Sequence, residues 1–143
     1  MMFGLSLRLV AALCVMCAAS GALAQDPRTT AVQSAARTWL ASIDRGDALA
    51  AWNAGGKKFQ AALTAQLWEA ALKKEQAEIG KPTRRTVGPT RFQRQIPGMP
   101  DGEYAQILFR TSFANKPDGT ESLTLEREAD GQWRVIGYFP RGP

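Results

Sequence analysis

The sequence predicts an α+β fold in which three N-terminal helices pack on one face of an antiparallel sheet of about four strands. In the first half of the chain, apolar residues recur at spacings of three and four, the pattern of an amphipathic helix. After Pro82 the pattern changes to an alternation of apolar and polar residues, which is typical of half-buried strands. A run of helices followed by a run of strands indicates α+β architecture. The length of 143 residues fits one domain, which we expect over residues 25–143.

Residues 1–24 have the design of a cleavable signal peptide. Arg8 precedes an uncharged apolar run over residues 9–19, and the small-residue sequence Ala22-Leu23-Ala24 follows. The apolar stretch is shorter than the ~20 residues that a helix needs to span a bilayer. We therefore expect cleavage after Ala24, export to the periplasm or medium, and no transmembrane segment in the mature chain.

Three helices are expected in the first half of the mature chain. The first covers residues 30–43, and the second begins at Asp47. Glycines at positions 55 and 56 predict a break or bend in the second helix, because glycine costs about 1 kcal/mol in a helix interior. The third helix follows the capping residue Thr64 and ends at Gly80.

Four strands are expected after the helices. Alternation predicts strands over residues 84–96, 104–113 and 120–128, and from Trp133 to the end of the chain. Asp130-Gly131 is a strong hairpin signal before the last strand.

The alternation also predicts the two faces of the sheet. Ile107, Phe109, Leu123 and Trp133 are expected on the apolar face that receives the helices. The less apolar face is expected to carry two tyrosines and two arginines: Tyr104, Arg110, Arg134 and Tyr138.

Four segments of the second half carry a resemblance to a known family. They are residues 100–104 (PDGEY), 111–116 (TSFANK), 121–124 (ESLT) and 130–138 (DGQWRVIGY). These segments resemble the bacterial family catalogued as domain of unknown function 4019, over about residues 31–141. The resemblance implies a small exported protein with three helices before a curved antiparallel sheet, akin to a cystatin-like or nuclear-transport-factor-like cone. It supplies no catalytic residues. Pro140 departs from the family's final strand, and we expect it to interrupt backbone pairing there.

Composition excludes several classes of chemistry. The chain has no histidine, and its two cysteines lie in the predicted signal peptide, so imidazole bases, thiol nucleophiles, disulfides and the usual zinc ligands are missing from the mature chain. Glu126 and Glu128 share one strand face and could act as paired carboxylates, but solvated charges at the strand end are the favoured interpretation. We therefore expect a noncatalytic protein without metal or cofactor.

Charge is unevenly distributed along the chain. Residues 57–94 contain nine basic and three acidic residues, whereas residues 95–143 contain five basic and seven acidic residues. Such asymmetry favours an anionic partner, although it is also compatible with ordinary solvated charges. Outside the cytoplasm we expect an anionic envelope component or an acidic protein rather than a nucleic acid. The candidate binding residues are Lys73, Lys74, Arg84, Arg85, Arg91 and Arg94.

A second hypothesis uses the less apolar face of the sheet. Tyr104, Arg110, Arg134 and Tyr138 could line the pocket of a small-ligand carrier or a pocket enzyme. The same four residues could equally form a cross-strand ladder in which arginines stack on tyrosines. The pocket hypothesis requires a cavity bounded by the tyrosines.

Overall fold

The structure, a computed structural model, describes residues 25–141. Four helices precede four strands: α1 (Pro27–Asp44), α2 (Ala48–Ala54), α3 (Lys57–Ala62), α4 (Ala65–Ile79), β1 (Pro82–Gln93), β2 (Tyr104–Phe113), β3 (Lys116–Arg127) and β4 (Trp133–Arg141). The strands form one open antiparallel sheet in the order β1-β2-β3-β4. The predicted α+β fold is confirmed, and the signal peptide predicted at residues 1–24 lies outside the described residues. Within residues 25–141, no helix has the length and apolar character needed to cross a membrane.

The second predicted helix is two helices, because two glycines interrupt it. Gly55 and Gly56 adopt extended backbone between α2 and α3, and the Gly56 N–H donates to the Val135 carbonyl at 2.8 Å. A Cβ on Gly56 would lie 2.8 Å from the Ile136 side chain, and one on Gly55 would lie 2.6 Å from the Phe59 ring. The break is therefore the point at which the chain passes close against β4.

Side chains accept hydrogen bonds from the N-termini of all four described helices, and one of these side chains is distant in sequence from its helix. Asp26, Asp47 and Thr64 each accept a hydrogen bond from a backbone N–H in the first turn of α1, α2 and α4. The N-cap residue of α3, Gly56, has no side chain for this purpose. Instead, the Glu128 carboxylate at the end of β3 accepts from the Lys57 N–H at 2.9 Å.

The core lies between the helices and one face of the sheet. Ile107, Phe109 and Leu123 are at most 1% exposed, as predicted, whereas Trp133 is only half-buried at the margin. An aromatic cluster fills the space above the sheet, with ring centroids 5.1 to 6.2 Å apart: Trp39, Phe59, Trp68 and Tyr138.

Two buried indoles also fix the short helix α2. The Trp39 indole N–H donates to the Ala51 carbonyl at 2.8 Å, and the Trp68 indole N–H donates to the Ala48 carbonyl at 3.0 Å. A helix of 7 residues is not stable alone, and these bonds attach it to its neighbours α1 and α4.

A β-bulge reverses the predicted facing of the last strand. Leu125 pairs with Val135, but Thr124 pairs with Gly137, so Ile136 is an extra residue in β4. Because side chains alternate, one extra residue moves those after it to the opposite face. Tyr138 therefore pairs with Leu123 on the core face, and its predicted place on the less apolar face was wrong.

Strand limits and the pairing of Pro140 also differ from the sequence prediction. β1 covers Pro82–Gln93 rather than residues 84–96. β3 begins at Lys116 rather than at residue 120, because a tight turn at residues 114–115 leads directly into pairing of Lys116 with Phe113. Pro140 does not end β4: it is in register with Glu121. β4 is an edge strand, where a residue without an N–H is tolerated.

Candidate functional site

The six candidate basic residues lie in four different parts of the fold. Lys73 and Lys74 are exposed on α4, in the helical layer. Arg84 and Arg91 are exposed on β1, where they pair with Ser112 and Gln106 on the outer face of the sheet. Arg94 is exposed just after β1. Arg85 lies in β1 and faces the core.

Arg85 belongs to a buried polar cluster rather than to a binding surface. Its Nε donates to Glu121 Oε1 at 2.7 Å, and its terminal nitrogens donate to both oxygens of Asp44 at 2.7 and 3.0 Å. The side chain of Glu121 is 0% exposed and also accepts hydrogen bonds from the hydroxyls of Thr111 and Tyr138, both at 2.6 Å. The cluster therefore joins the end of α1 to all four strands of the sheet.

The environment of this cluster shifts the pKa values of Tyr138 and Arg85. Burial raises the pKa of the Tyr138 hydroxyl strongly, and the adjacent Glu121 carboxylate raises it further. Burial acts to lower the pKa of Arg85, but its hydrogen bonds to Asp44 and Glu121 outweigh that effect and raise it. Tyr138 therefore remains a neutral donor and Arg85 a cation, which suits a structural tether.

Sequence reasoning missed Glu121, although the alternation contained the signal. Glu121 has the same parity in β3 as Leu123, which was predicted to face the core. By the same rule Arg85 shares its face with its pairing partner Thr111. A carboxylate and a guanidinium on inward positions of one sheet predict a buried ion pair, because neither is buried alone.

The outer face of β1 and β2 carries arginines without carboxylate partners. We define the arginine face as Arg84, Arg91 and Arg110. Among the described residues, these three side chains form no ion pair or hydrogen bond. In contrast, Arg85 and Arg134 are each bound to two carboxylates.

Two of these arginines line one cleft. The cleft, about 630 Å³ in volume, includes Arg84, Arg110 and the side chains of Thr86 and Ser112, with Asp118 at the neighbouring hairpin. Arg84 pairs with Ser112 and Thr86 pairs with Arg110, which makes the two arginines diagonal neighbours on one face. Arg91 lines an adjoining depression of about 280 Å³.

The residues of the second hypothesis do not come together. Tyr104 is 1% exposed, and its hydroxyl donates to the Pro100 carbonyl at 2.6 Å. Tyr138 lies on the other face of the sheet in the buried cluster. Arg134 binds Glu128 and Asp130 beside the last hairpin, far along the sheet from the cleft that contains Arg110. Within residues 25–141 the two tyrosines therefore lie on different faces of the sheet, which does not fit the single pocket that this hypothesis requires.

The paired carboxylates of β3 are engaged in structural contacts. Glu126 accepts two hydrogen bonds from Lys58 Nζ at 2.7 and 2.8 Å, and Glu128 accepts from Arg134 at 2.9 Å. Both carboxylates bind α3 or its N-terminus. Over residues 25–141, no group of three or more acidic side chains is placed to hold a metal ion.

These features define a small α+β module with an open four-stranded sheet, an internal ion-pair cluster and a basic outer sheet face. The chain belongs to the family described as "Protein of unknown function (DUF4019)", whose model matches residues 35–138. The resemblance of the C-terminal segments to this family is thereby confirmed. None of the curated proteins shows a significant match to the chain.

Proposed function

We propose that this protein is a noncatalytic exported module that binds a phosphate-bearing component of the cell envelope through the arginine face. The observation that carries the proposal is the set of three cations on one sheet face without carboxylate partners. Lys73 and Lys74, in the helical layer on the other side of the sheet, are not part of this site.

Electrostatics supports an anionic ligand at this face. Like charges held close together on one sheet face repel each other, and Arg84 and Arg110 are diagonal neighbours there. An anion between them removes this repulsion. The Asp118 carboxylate lines the same cleft but makes no ion pair with them, so both guanidinium groups are free to bind a ligand.

The chemistry of the cleft suits phosphate. Guanidinium groups bind phosphate oxygens in a bidentate manner, and hydroxyl groups add further donors. Thr86 and Ser112 supply such hydroxyls between the two arginines. The predicted signal peptide would place the protein in the cell envelope. The phosphate groups that it meets there belong to lipid headgroups or to phosphate polymers.

The test compares two variants with the same loss of charge. The first replaces the arginine face: Arg84→Gln, Arg91→Gln and Arg110→Gln. The matched control replaces three exposed cations of the helical layer: Arg37→Gln, Lys73→Gln and Lys74→Gln. Binding is measured to vesicles that contain phosphatidylglycerol and, separately, to soluble polyphosphate.

The arginine-face variant is expected to bind about 100-fold more weakly, because each basic residue near an anionic surface contributes about 1 kcal/mol. The control is expected to retain most of the affinity, and added salt should weaken binding of the unmodified protein. Binding to vesicles alone would indicate a lipid headgroup, and binding to both probes a phosphate group in general. Equal losses in the two variants, or no binding to either probe, would contradict the proposal, and the latter is the result expected for an acidic protein partner.

A further inference from the structure

A second cleft lies on the helical side of the sheet, between α4 and β4. It has a volume of about 390 Å³, and its lining includes Trp68, Leu72, Glu75, Tyr138 and Phe139. We refer to it as the α4–β4 cleft. It shares no residue with the cleft of the arginine face.

The aromatic walls of this cleft present carbon rather than polar atoms. The Trp68 indole N–H is used by the Ala48 carbonyl, and the Tyr138 hydroxyl is used by Glu121. The two ring centroids are 6.2 Å apart, with an interplanar angle of 81°. Phe139 follows Tyr138 on the edge strand β4 and borders the cleft, with its ring on the outer face of the sheet near Gly137.

Glu75 supplies the one charged group among the lining residues. Its side chain is half-buried, and within the described part of the chain it forms no ion pair or hydrogen bond. The partly buried glutamates at the end of β3 differ in this respect, because Glu126 binds Lys58 and Glu128 binds Arg134. Glu75 is therefore a free carboxylate beside an apolar aromatic cleft.

We propose that the α4–β4 cleft binds a hydrophobic organic cation, with the apolar part of the ligand against the aromatic rings and its ammonium group at Glu75. Aromatic rings attract ammonium groups, and a carboxylate without another partner adds a charge-assisted hydrogen bond. The geometry provides both features side by side. A neutral ligand of the same shape gains only the apolar contact, and an anionic one is repelled by Glu75. This site is independent of the proposed function, because it concerns different residues and a ligand of opposite charge.

The test uses three probes that share a phenylbutyl group and differ in charge: 4-phenylbutylammonium, 4-phenylbutanol and 4-phenylbutyrate. Binding is measured by calorimetry and by the NMR shift of the Trp68 indole resonance. Glu75→Gln removes the charge while keeping the shape of the side chain. The matched control is Glu78→Gln, which removes the same charge from an exposed position of α4 outside the cleft.

For the unmodified protein, we expect the ammonium probe to bind about tenfold more tightly than the alcohol, which corresponds to one charge-assisted hydrogen bond. Glu75→Gln should abolish that preference, and Glu78→Gln should preserve it. The proposal would be overturned by equal affinity for the ammonium and the alcohol, or by tighter binding of the carboxylate. An equal effect of the two variants, or no shift of the Trp68 resonance, would overturn it as well. Helical circular dichroism of both variants shows that any loss does not come from unfolding.

Discussion

Replacing Arg85 with methionine tests the tether between the helices and the sheet. The substitution keeps an unbranched side chain but removes the cation that lies 2.7 Å from Glu121. Glu121 is 0% exposed, so water cannot replace the lost partner. Two neutral hydroxyl donors, from Thr111 and Tyr138, are then the remaining partners of this carboxylate.

The expected cost follows from the burial of Glu121. Two unit charges about 4 Å apart attract by about 4 kcal/mol at an effective dielectric constant of 20. Removing one partner of a buried ion pair destabilises proteins by about 3 to 5 kcal/mol, because the other charge stays buried without compensation. Arg85 retains 19% exposure, so we expect about 3 kcal/mol for Arg85→Met. In a domain of this size that is a fall in Tm of about 12 °C.

The free energy of unfolding is measured by urea titration, with tryptophan fluorescence as the probe. Arg84→Met is the matched control: it is the neighbouring residue, it is exposed and it has no ion-pair partner in the described chain, so its effect should stay within about 0.5 kcal/mol. Adding Glu121→Gln to Arg85→Met removes the uncompensated charge and should restore about 1 to 2 kcal/mol. The reasoning fails if Arg85→Met costs no more than Arg84→Met, or if Glu121→Gln makes the double variant less stable than the single one.

Two further predictions concern a close approach and a titration. Gly119→Ala should lower the free energy of unfolding, measured in urea, by about 1 to 3 kcal/mol, because its Cβ would lie 2.7 Å from the Phe113 ring. The control Gly137→Ala should be nearly neutral, because its nearest contact would be at 3.4 Å. Equal costs for the two variants would be inconsistent with this packing. The hydrogen bond from Arg134 lowers the pKa of the Asp130 carboxyl to about 2 from its ordinary 3.8, so its contribution to stability is present above pH 3.8 and is lost as the pH falls toward 2. An NMR titration of the carboxyl carbon should give that midpoint, and Arg134→Gln should return it toward 3.8; a midpoint that the variant leaves unchanged would show that the pair does not form.

Much of the fold could be predicted from local sequence signals. The period of the apolar residues located α1 and α4, and Asp47 and Thr64 cap helices as their residue types predict. Alternation gave the limits of β2 and its buried face. These signals work because helix and strand geometry fix which neighbours along the chain share a face.

The candidate sites depended on information that the sequence pattern carries only weakly. Arg84 and Arg85 are neighbours in the basic segment of the sequence and were therefore predicted as one site. Adjacent strand residues face opposite sides of a sheet, so Arg84 lies on the surface and Arg85 is half-buried. The bulge at Ile136 reversed the facing of Tyr138, and nothing in the local pattern marks an extra residue there.

The amino-acid sequence by itself determined the fold class, the family and the absence of histidine, because these depend on periodicity, short motifs and composition. Only the tertiary structure decided which charges are neutralised inside the protein and which remain available on its surface. The physical reason is that ion pairing requires atoms within a few ångströms. Arg85 and Glu121 lie 36 residues apart in the chain and reach that distance only when β1, β2 and β3 are aligned in one sheet.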